Sequence, residues 1–210
     1  MMRTVVPFDP RDPKSRLAEF FADAEERRGF AYAMLADVLG AVRDAGGDPV
    51  VVATAPVSRP VDAPVTVDDR ALSTAVAAAI ADGPLPTAVV MADLALATPD
   101  AIRRVFAASG DVVLAPGSGG GTNVVLARTA DVPVSYHGVS FRDHVTAAER
   151  AGLTVTTVDS FRLAADVDDA SDLVDVFVHN TRRTREWLIA GGWRLAVDDG
   201  TPTVVREPND

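Results

Sequence analysis

The chain has no cysteine and only one lysine in 210 residues. Without cysteine there is no disulfide framework, no thiolate catalysis and no cysteine-ligated zinc. Aromatic residues make up only 6%, so the core has to be built from small side chains, mostly Ala and Val, on regular elements. No run approaches the roughly 18 apolar residues of a membrane span, and no signal peptide precedes Val5, so a soluble, cytoplasmic protein is expected. Positive charge is scarce as well: 20 Lys and Arg stand against 30 Asp and Glu, a net charge of -10. Bulk electrostatics therefore argue against nucleic acid or an anionic membrane as partner. An anionic small substrate would need a local cationic site. The acidic, lysine-poor composition suits a high-salt cytoplasm, and a GC-rich genome accounts for it as well.

The length suits one α/β domain over residues 1–210. Apolar strand patterns alternate with helical ones. Strand signals cover Arg3–Phe8, Pro49–Thr54, Pro64–Val67, Thr87–Met91, Asp111–Ala115, Thr122–Arg128 and Val155–Val158. Between them, Glu19–Ala45 has a helical face with an expected break near Gly29, Ala71–Ala81 is an alanine-rich helix, and Thr98 caps a helix with Pro99 at its first position. Ser140-Phe141-Arg142-Asp143 has capping-box spacing for a helix to about Ala151. Helices over 169–179 and 181–190 and an edge hairpin around Asp198-Asp199-Gly200 close the chain, so a C-terminal helix and hairpin span about 181–206. This alternation predicts a three-layer α/β/α sandwich with a mostly parallel, Rossmann-like central sheet.

The solitary lysine, Lys14, falls in a Pro-rich loop after the first strand, two residues before Arg16. Loops between strand and helix are where many α/β proteins hold phosphates, and an ammonium on a flexible stem can follow one. A lone lysine also has to fall somewhere, and loops are exposed. Asp93 ends the fully apolar strand Thr87–Met91, where open sheets place their ligands, and a carboxylate there suits Mg²⁺. Asp166-Val167-Asp168-Asp169 could supply a second carboxylate if that turn lies beside Asp93; otherwise it is a solvated cap, with Asp169 or Ser171 capping the helix. The glycine-dense Gly117–Gly121 followed by Thr122-Asn123 lacks the lysine of a P-loop and leads into a strand rather than a helix. It can still offer N–H groups and two polar side chains to an oxyanion. His137 is placed to reach a phosphate, whereas His144 and His179 read as surface residues of helices. An NAD-dependent oxidoreductase and a catalytically silent nucleotide-binding protein stay open as rivals from other classes.

Taken in order, PFDPRDPKSRL, ERRGFAYAMLADVL, VVMADLAL, APGSGGGTNVVLAR, YHGVSFRDH and DVDDASDL resemble the 2-phospho-L-lactate guanylyltransferases of coenzyme F-420 biosynthesis over roughly residues 3–179. The resemblance implies a nucleotide-diphospho-sugar transferase-like fold, a homodimer, and transfer of GMP from GTP to a small phosphorylated acid such as 2-phospho-L-lactate or phosphoenolpyruvate. It further implies that Lys14, Arg16 and Ser73 contact the nucleotide. Asp93, with Asp166 or Asp168, would hold Mg²⁺, and Thr122, Asn123, Gly138 and Ser140 would hold the acid. Three departures stand out: Asp93-Leu94-Ala95 where the family usually has Asp-Leu-Pro, Leu72-Ser73 where it often has Leu-Asn, and Tyr136-His137-Gly138-Val139-Ser140 where it often has Tyr-Gly-x-x-Ser. Another nucleotidyltransferase of the same fold, acting on molybdopterin or a sugar phosphate, is the nearest alternative.

Overall fold

A computed structural model describes residues 1–207. Seven strands form the main sheet: β1 (Met2–Phe8), β2 (Gly47–Ala53), β3 (Val65–Val67), β4 (Thr87–Val90), β5 (Val112–Pro116), β6 (Thr122–Ala127) and β7 (Val155–Thr157). Their order is β3-β2-β1-β4-β6-β5-β7. All pairings are parallel except those of β6, which runs antiparallel to both β4 and β5. Five residues separate β5 from β6, too few for a parallel crossover, so the chain must turn straight back. That reversal carries the start of β6 to the edge where the other strands end.

The helices are α1 (Ala24–Asp44), α2 (Leu72–Ala81), α3 (Pro99–Ala107), α4 (Ser140–Arg150), α5 (Phe161–Ala164), α6 (Asp172–His179) and α7 (Arg183–Ala190). Strand residues alternate between two cores. Val6, Ala88 and Val90 face α1, α3 and α5–α7 on one side of the sheet, while Val5 and Val89 face Val76 and Ile80 of α2 and Ala148 of α4 on the other. The three-layer α/β/α architecture with a mostly parallel sheet is thus as expected. Among the described residues no helix is long and apolar enough to cross a membrane.

Several local expectations need correction. α1 runs unbroken through Gly29 and starts at Ala24, where the Asp23 carboxylate accepts from the Glu26 N–H at 2.8 Å. Gly29 is there for close packing: a Cβ would stand 3.0 Å from Cζ2 of Trp187. The capping box at Ser140 does not form. Val139 occupies the cap position, and the Ser140 hydroxyl turns instead to Thr122. α6 begins at Asp172, not 169, and neither Asp169 nor Ser171 caps it with a side chain. The Asp172 carboxylate accepts from the N–H groups of Asp168 and Asp169, both at 2.8 Å, and this holds the preceding turn out of the helix.

The chain's end braces its beginning. The hairpin of β8 (Trp193–Asp198) and β9 (Thr201–Arg206) packs by Trp193, which stacks on Phe20 at 3.9 Å between centroids and meets Phe21 edge-on. Phe20, Phe21 and the buried Leu17 anchor the loop that carries Lys14.

One buried carboxylate fixes α7. Asp37 of α1, 2% exposed, accepts from the Arg183 and Thr184 N–H groups at 3.0 and 2.9 Å, the Thr184 hydroxyl at 2.6 Å and the Asn180 amide at 2.9 Å. It serves as an anionic partner for the N-terminus of α7. Asp37→Ala leaves three buried donors and one part-buried donor without this acceptor and is expected to cost about 3 kcal/mol. In guanidinium unfolding the midpoint should fall with the slope unchanged; an unchanged midpoint would contradict the role given to Asp37.

Candidate active site at the carboxyl edge of the sheet

The loops that follow β1, β2, β3 and β4 enclose a cleft of about 610 Å³ at the carboxyl edge of the sheet, a size ordinary for a small-molecule site. Val5, Phe8, Met91 and Ala92 form its apolar floor. Asp9, Arg11, Lys14, Arg16, Thr54, Asp68, Asp69, Arg70, Asp93 and Asp168 supply its polar wall.

Lys14 is the hub. Its backbone lies in the left-handed region, φ 56° and ψ 46°, at the entry to a single 3₁₀ turn over Ser15–Leu17. A non-glycine residue there costs roughly 1–2 kcal/mol. The turn sends the side chain inward, to 10% exposure, where Nζ donates to Asp93 Oδ2 and Asp168 Oδ1, both at 2.8 Å. Burial alone would push the ammonium's pKa down; the charges of Asp93 and Asp168 outweigh it and hold the pKa above its ordinary value. Arg16, largely exposed, reaches Asp168 Oδ2 at 3.4 Å.

The late aspartates do lie beside Asp93. The Val167 N–H donates to the Asp93 carbonyl at 3.3 Å, and Val167 is buried at 1% exposure. An inward Val167 leaves its two neighbours to face the site. Asp168 enters the cleft; Asp166 stands behind it, accepting from the Asn123 amide at 3.2 Å. The Asp166 pKa is raised, first by burial and further by the charges of Asp93 and Asp168, against the pull of Asn123. Asp93 and Asp168 thus share one buried ammonium, Asp168 also meets one exposed guanidinium, and Asp166 stands beside them with only the Asn123 amide. Asp93 Oδ1, moreover, is buried with no hydrogen-bond partner among the described residues. A hard cation fits that donor set. As the side chains stand, no metal-binding group of three is formed among the described residues, and Lys14 Nζ lies between Asp93 and Asp168.

The glycine loop adjoins this cluster. β6 is antiparallel, so Thr122-Asn123 comes up beside the end of β4, with the Met91 N–H on the Asn123 carbonyl at 3.0 Å. The Asn123 amide also donates to the Leu163 carbonyl at 2.9 Å. Gly117 makes room for it: a Cβ there would lie 2.8 Å from Asn123 Oδ1. Thr122, Gly138 and Ser140 do not line the cleft. Thr122 and Ser140 are buried beside it with their hydroxyls 3.3 Å apart, and Gly138 is an exposed loop residue at φ +55°. Ser73 accepts from the Tyr136 N–H at 2.9 Å, which ties α2 to the loop before α4; its neighbours Leu72 and Ala75 line the cleft.

His144 corrects the sequence reading. It is 3% exposed, not a surface residue, and contacts Thr122. His137 is exposed and outside the cleft, and His179 is half-buried beside Asp175. Sequence reasoning also missed Asp9, whose carboxylate accepts from the Thr54 hydroxyl and from Arg11. Burial works to raise its pKa, but those hydrogen bonds outweigh it and bring the value down. A loop rich in proline and aspartate after β1 was the available signal.

Cationic side chains and grouped carboxylates at the carboxyl edge of a Rossmann-like sheet fit an α/β nucleotidyltransferase. The chain belongs to the family described as "Guanylyl transferase CofC like", which matches residues 2–205. It is 58% identical over 207 residues to a protein of Haloferax volcanii named 2-phospho-L-lactate guanylyltransferase, covering 98% of this chain and 99% of that one. A protein of the same name from Halomicrobium mukohataei is 55% identical over 205 residues, covering 98% and 100%. Among solved structures, a putative nucleotide-diphospho-sugar transferase from Desulfovibrio desulfuricans shares the fold at a TM-score of 0.76 and 15% identity, over 91% of this chain and 96% of that one. Rv0371c of Mycobacterium tuberculosis, solved as a complex with manganese, shares it at 0.52 and 18%, over 82% and 95%.

Proposed function

We propose that the chain joins GMP from GTP to 2-phospho-L-lactate and releases pyrophosphate, a step of coenzyme F-420 biosynthesis. The observation that carries this reading is the Lys14 ammonium held between Asp93 and Asp168 in a nucleotide-sized cleft. A phosphate oxygen of the acid attacks the α-phosphorus of GTP in line; the bond to the β-phosphate breaks and its electron pair leaves with pyrophosphate. The nucleophile is already an anion, so no general base is needed. Catalysis is then positioning and charge neutralisation.

Lys14 and Arg16 hold the GTP phosphates, with Lys14 swinging off the carboxylates to do so. Asp93 and Asp168, backed by Asp166, hold Mg²⁺, which when bound offsets the negative charge crowded at the reacting phosphates. The base lies toward Asp68–Leu72, where Asp69 and backbone carbonyls offer acceptors for guanine's N1–H and N2–H₂. Asp68 itself is engaged by Arg70 through two guanidinium contacts at 2.8 and 2.6 Å. Thr122, Ser140 and the N–H groups of Gly119, Gly121 and Gly138, beside the cleft rather than in its wall, receive the short acid, in loops too small and polar for a pterin; the N–H groups of Gly117, Ser118 and Gly120 are already bonded within the fold.

Steady-state kinetics with GTP and ATP, each with 2-phospho-L-lactate, phosphoenolpyruvate and 3-phosphoglycerate, test this directly. GTP with 2-phospho-L-lactate is expected to give the highest kcat/KM, and Thr122→Val and Ser140→Ala to raise KM for the acid more than for GTP. Equal kcat/KM for GTP and ATP would make this a broader nucleotidyltransferase. If both variants weakened GTP instead, the acceptor would have to sit elsewhere.

A further inference from the structure

We infer that His144 is a positioning residue for the acceptor: it fixes the direction in which the Thr122 and Ser140 hydroxyls donate. This rests on the placement of the acid at Thr122 and Ser140 proposed above.

The geometry fixes the protons one by one. The Ser135 N–H points at His144 Nε2 at 2.7 Å, so Nε2 must accept and carries no proton. A neutral imidazole then bears its proton on Nδ1. Nδ1 lies 2.8 Å from Thr122 Oγ1 and therefore donates to it. Thr122 Oγ1 and Ser140 Oγ, 3.3 Å apart, share one hydrogen bond between them. Two hydroxyls bring two protons, and that shared bond uses one. The remaining O–H has no acceptor among the partners found for these residues, so it is left for an anion arriving at the loop. The histidine thus turns a pair of ambivalent hydroxyls into a net donor.

The surroundings keep the ring neutral. Burial lowers the His144 pKa below its ordinary 6.5, opposed by Asp143 on its own helix. Of the elements packed against it, β6 presents Thr122, and the loop before α4 presents Tyr136, edge-on at 5.2 Å. The phenolic oxygen of Tyr136 is itself buried without a partner, and burial pushes its pKa up, so it brings no charge. Protonated His144 would set Nε2–H against the Ser135 N–H, two donors face to face, and release the loop that carries Tyr136–Val139.

The test is KM for 2-phospho-L-lactate and for GTP, measured from pH 8 to below the ordinary histidine value, in wild type, His144→Phe and His144→Asn. The Asn amide can keep the donor to Thr122 but has no titratable ring. His144→Phe is expected to raise KM for the acid about ten-fold, the equivalent of one hydrogen bond of about 1.4 kcal/mol, with KM for GTP within about two-fold. His144→Asn should recover most of that loss. Wild-type KM for the acid should climb relative to His144→Asn as pH falls below 6.5; the acid's own titration affects both and cancels in the ratio. Equal acid and GTP effects in His144→Phe, or parallel pH profiles for wild type and His144→Asn, would overturn the inference. Thermal midpoints of both variants show whether a loss is only one of folding. If His144→Phe does not fold, the pH profile of His144→Asn against wild type decides alone. Thr122→Val and Ser140→Ala separate the two claims. If they leave KM for the acid unchanged, the acceptor placement fails; if they raise it and the His144 variants do not, only the role of His144 fails.

Discussion

Lys14→Ala is expected to lower kcat/KM for guanylyl transfer by at least about 100-fold, the range for removing a charged contact at a developing phosphate charge. The same variant should bind Mn²⁺ more tightly than wild type when no nucleotide is present. In the free protein the ammonium occupies the space between Asp93 and Asp168 that a cation would need. Removing it leaves the carboxylates uncompensated and the space open. A rise of about ten-fold in Mn²⁺ affinity, roughly 1.4 kcal/mol, is expected by electron paramagnetic resonance titration. Lys14→Arg should also lose turnover, because a planar fork cannot replace a point charge that must move between carboxylates and phosphates. Wild-type kinetics in both variants would make the solitary lysine an accident of composition. Lost activity with unchanged Mn²⁺ affinity would keep the phosphate role and remove the exchange with the metal.

Asp93→Asn should be the most damaging carboxylate change, with turnover down about 1,000-fold at saturating Mg²⁺. The fold should survive, because the tie to the 166–168 segment runs through the Asp93 carbonyl rather than its side chain. Asp168→Asn should cost less, since Asp168 shares Lys14 but is 40% exposed. Asp166→Asn should separate stability from activity. Its folded pKa is raised, so the folded state holds the proton more tightly than the unfolded chain does, and its charge at neutral pH opposes folding. That penalty is relieved as pH falls through the folded value toward the ordinary 3.8. Asp166→Asn is therefore expected to raise the melting temperature at pH 7 while lowering turnover; near-normal turnover in Asp93→Asn would remove the whole cluster from the site.

Lys14 and Asp93 were legible because position alone marks them: a strand delivers each to the carboxyl edge, whatever the loop does next. Asp166-Val167-Asp168 could be read only conditionally. The alternation puts both carboxylates on one side of a buried Val167, but only the fold shows that this side meets Asp93. The direction of β6 was written in the five-residue span between Pro116 and Thr122, too short for a crossover. His144 was misread because α4 is polar around most of its surface. The signal was the i, i+4 stripe Ser140, His144, Ala148, the buried line of that helix, in which a polar residue must find partners. The Ser140 capping box failed for the same reason, since the hydroxyl was taken by a tertiary partner. Gly29 looked like a helix breaker because sequence does not show the Trp187 ring packed against it. Asp9 was marked only by its proline- and aspartate-rich loop: Arg11 lies two residues along the same loop, but Thr54 reaches it only when β1 and β2 pair.

The measurement closest to the central claim is ³¹P nuclear magnetic resonance of one sample holding the enzyme, GTP, 2-phospho-L-lactate and Mg²⁺. The expected result is a new pair of phosphoanhydride resonances for the GMP–acid product, growing in step with free pyrophosphate and absent when Asp93→Asn replaces the wild type. Appearance of GDP and phosphate instead, or guanylylation of a sugar phosphate or molybdopterin but not of 2-phospho-L-lactate, would contradict it.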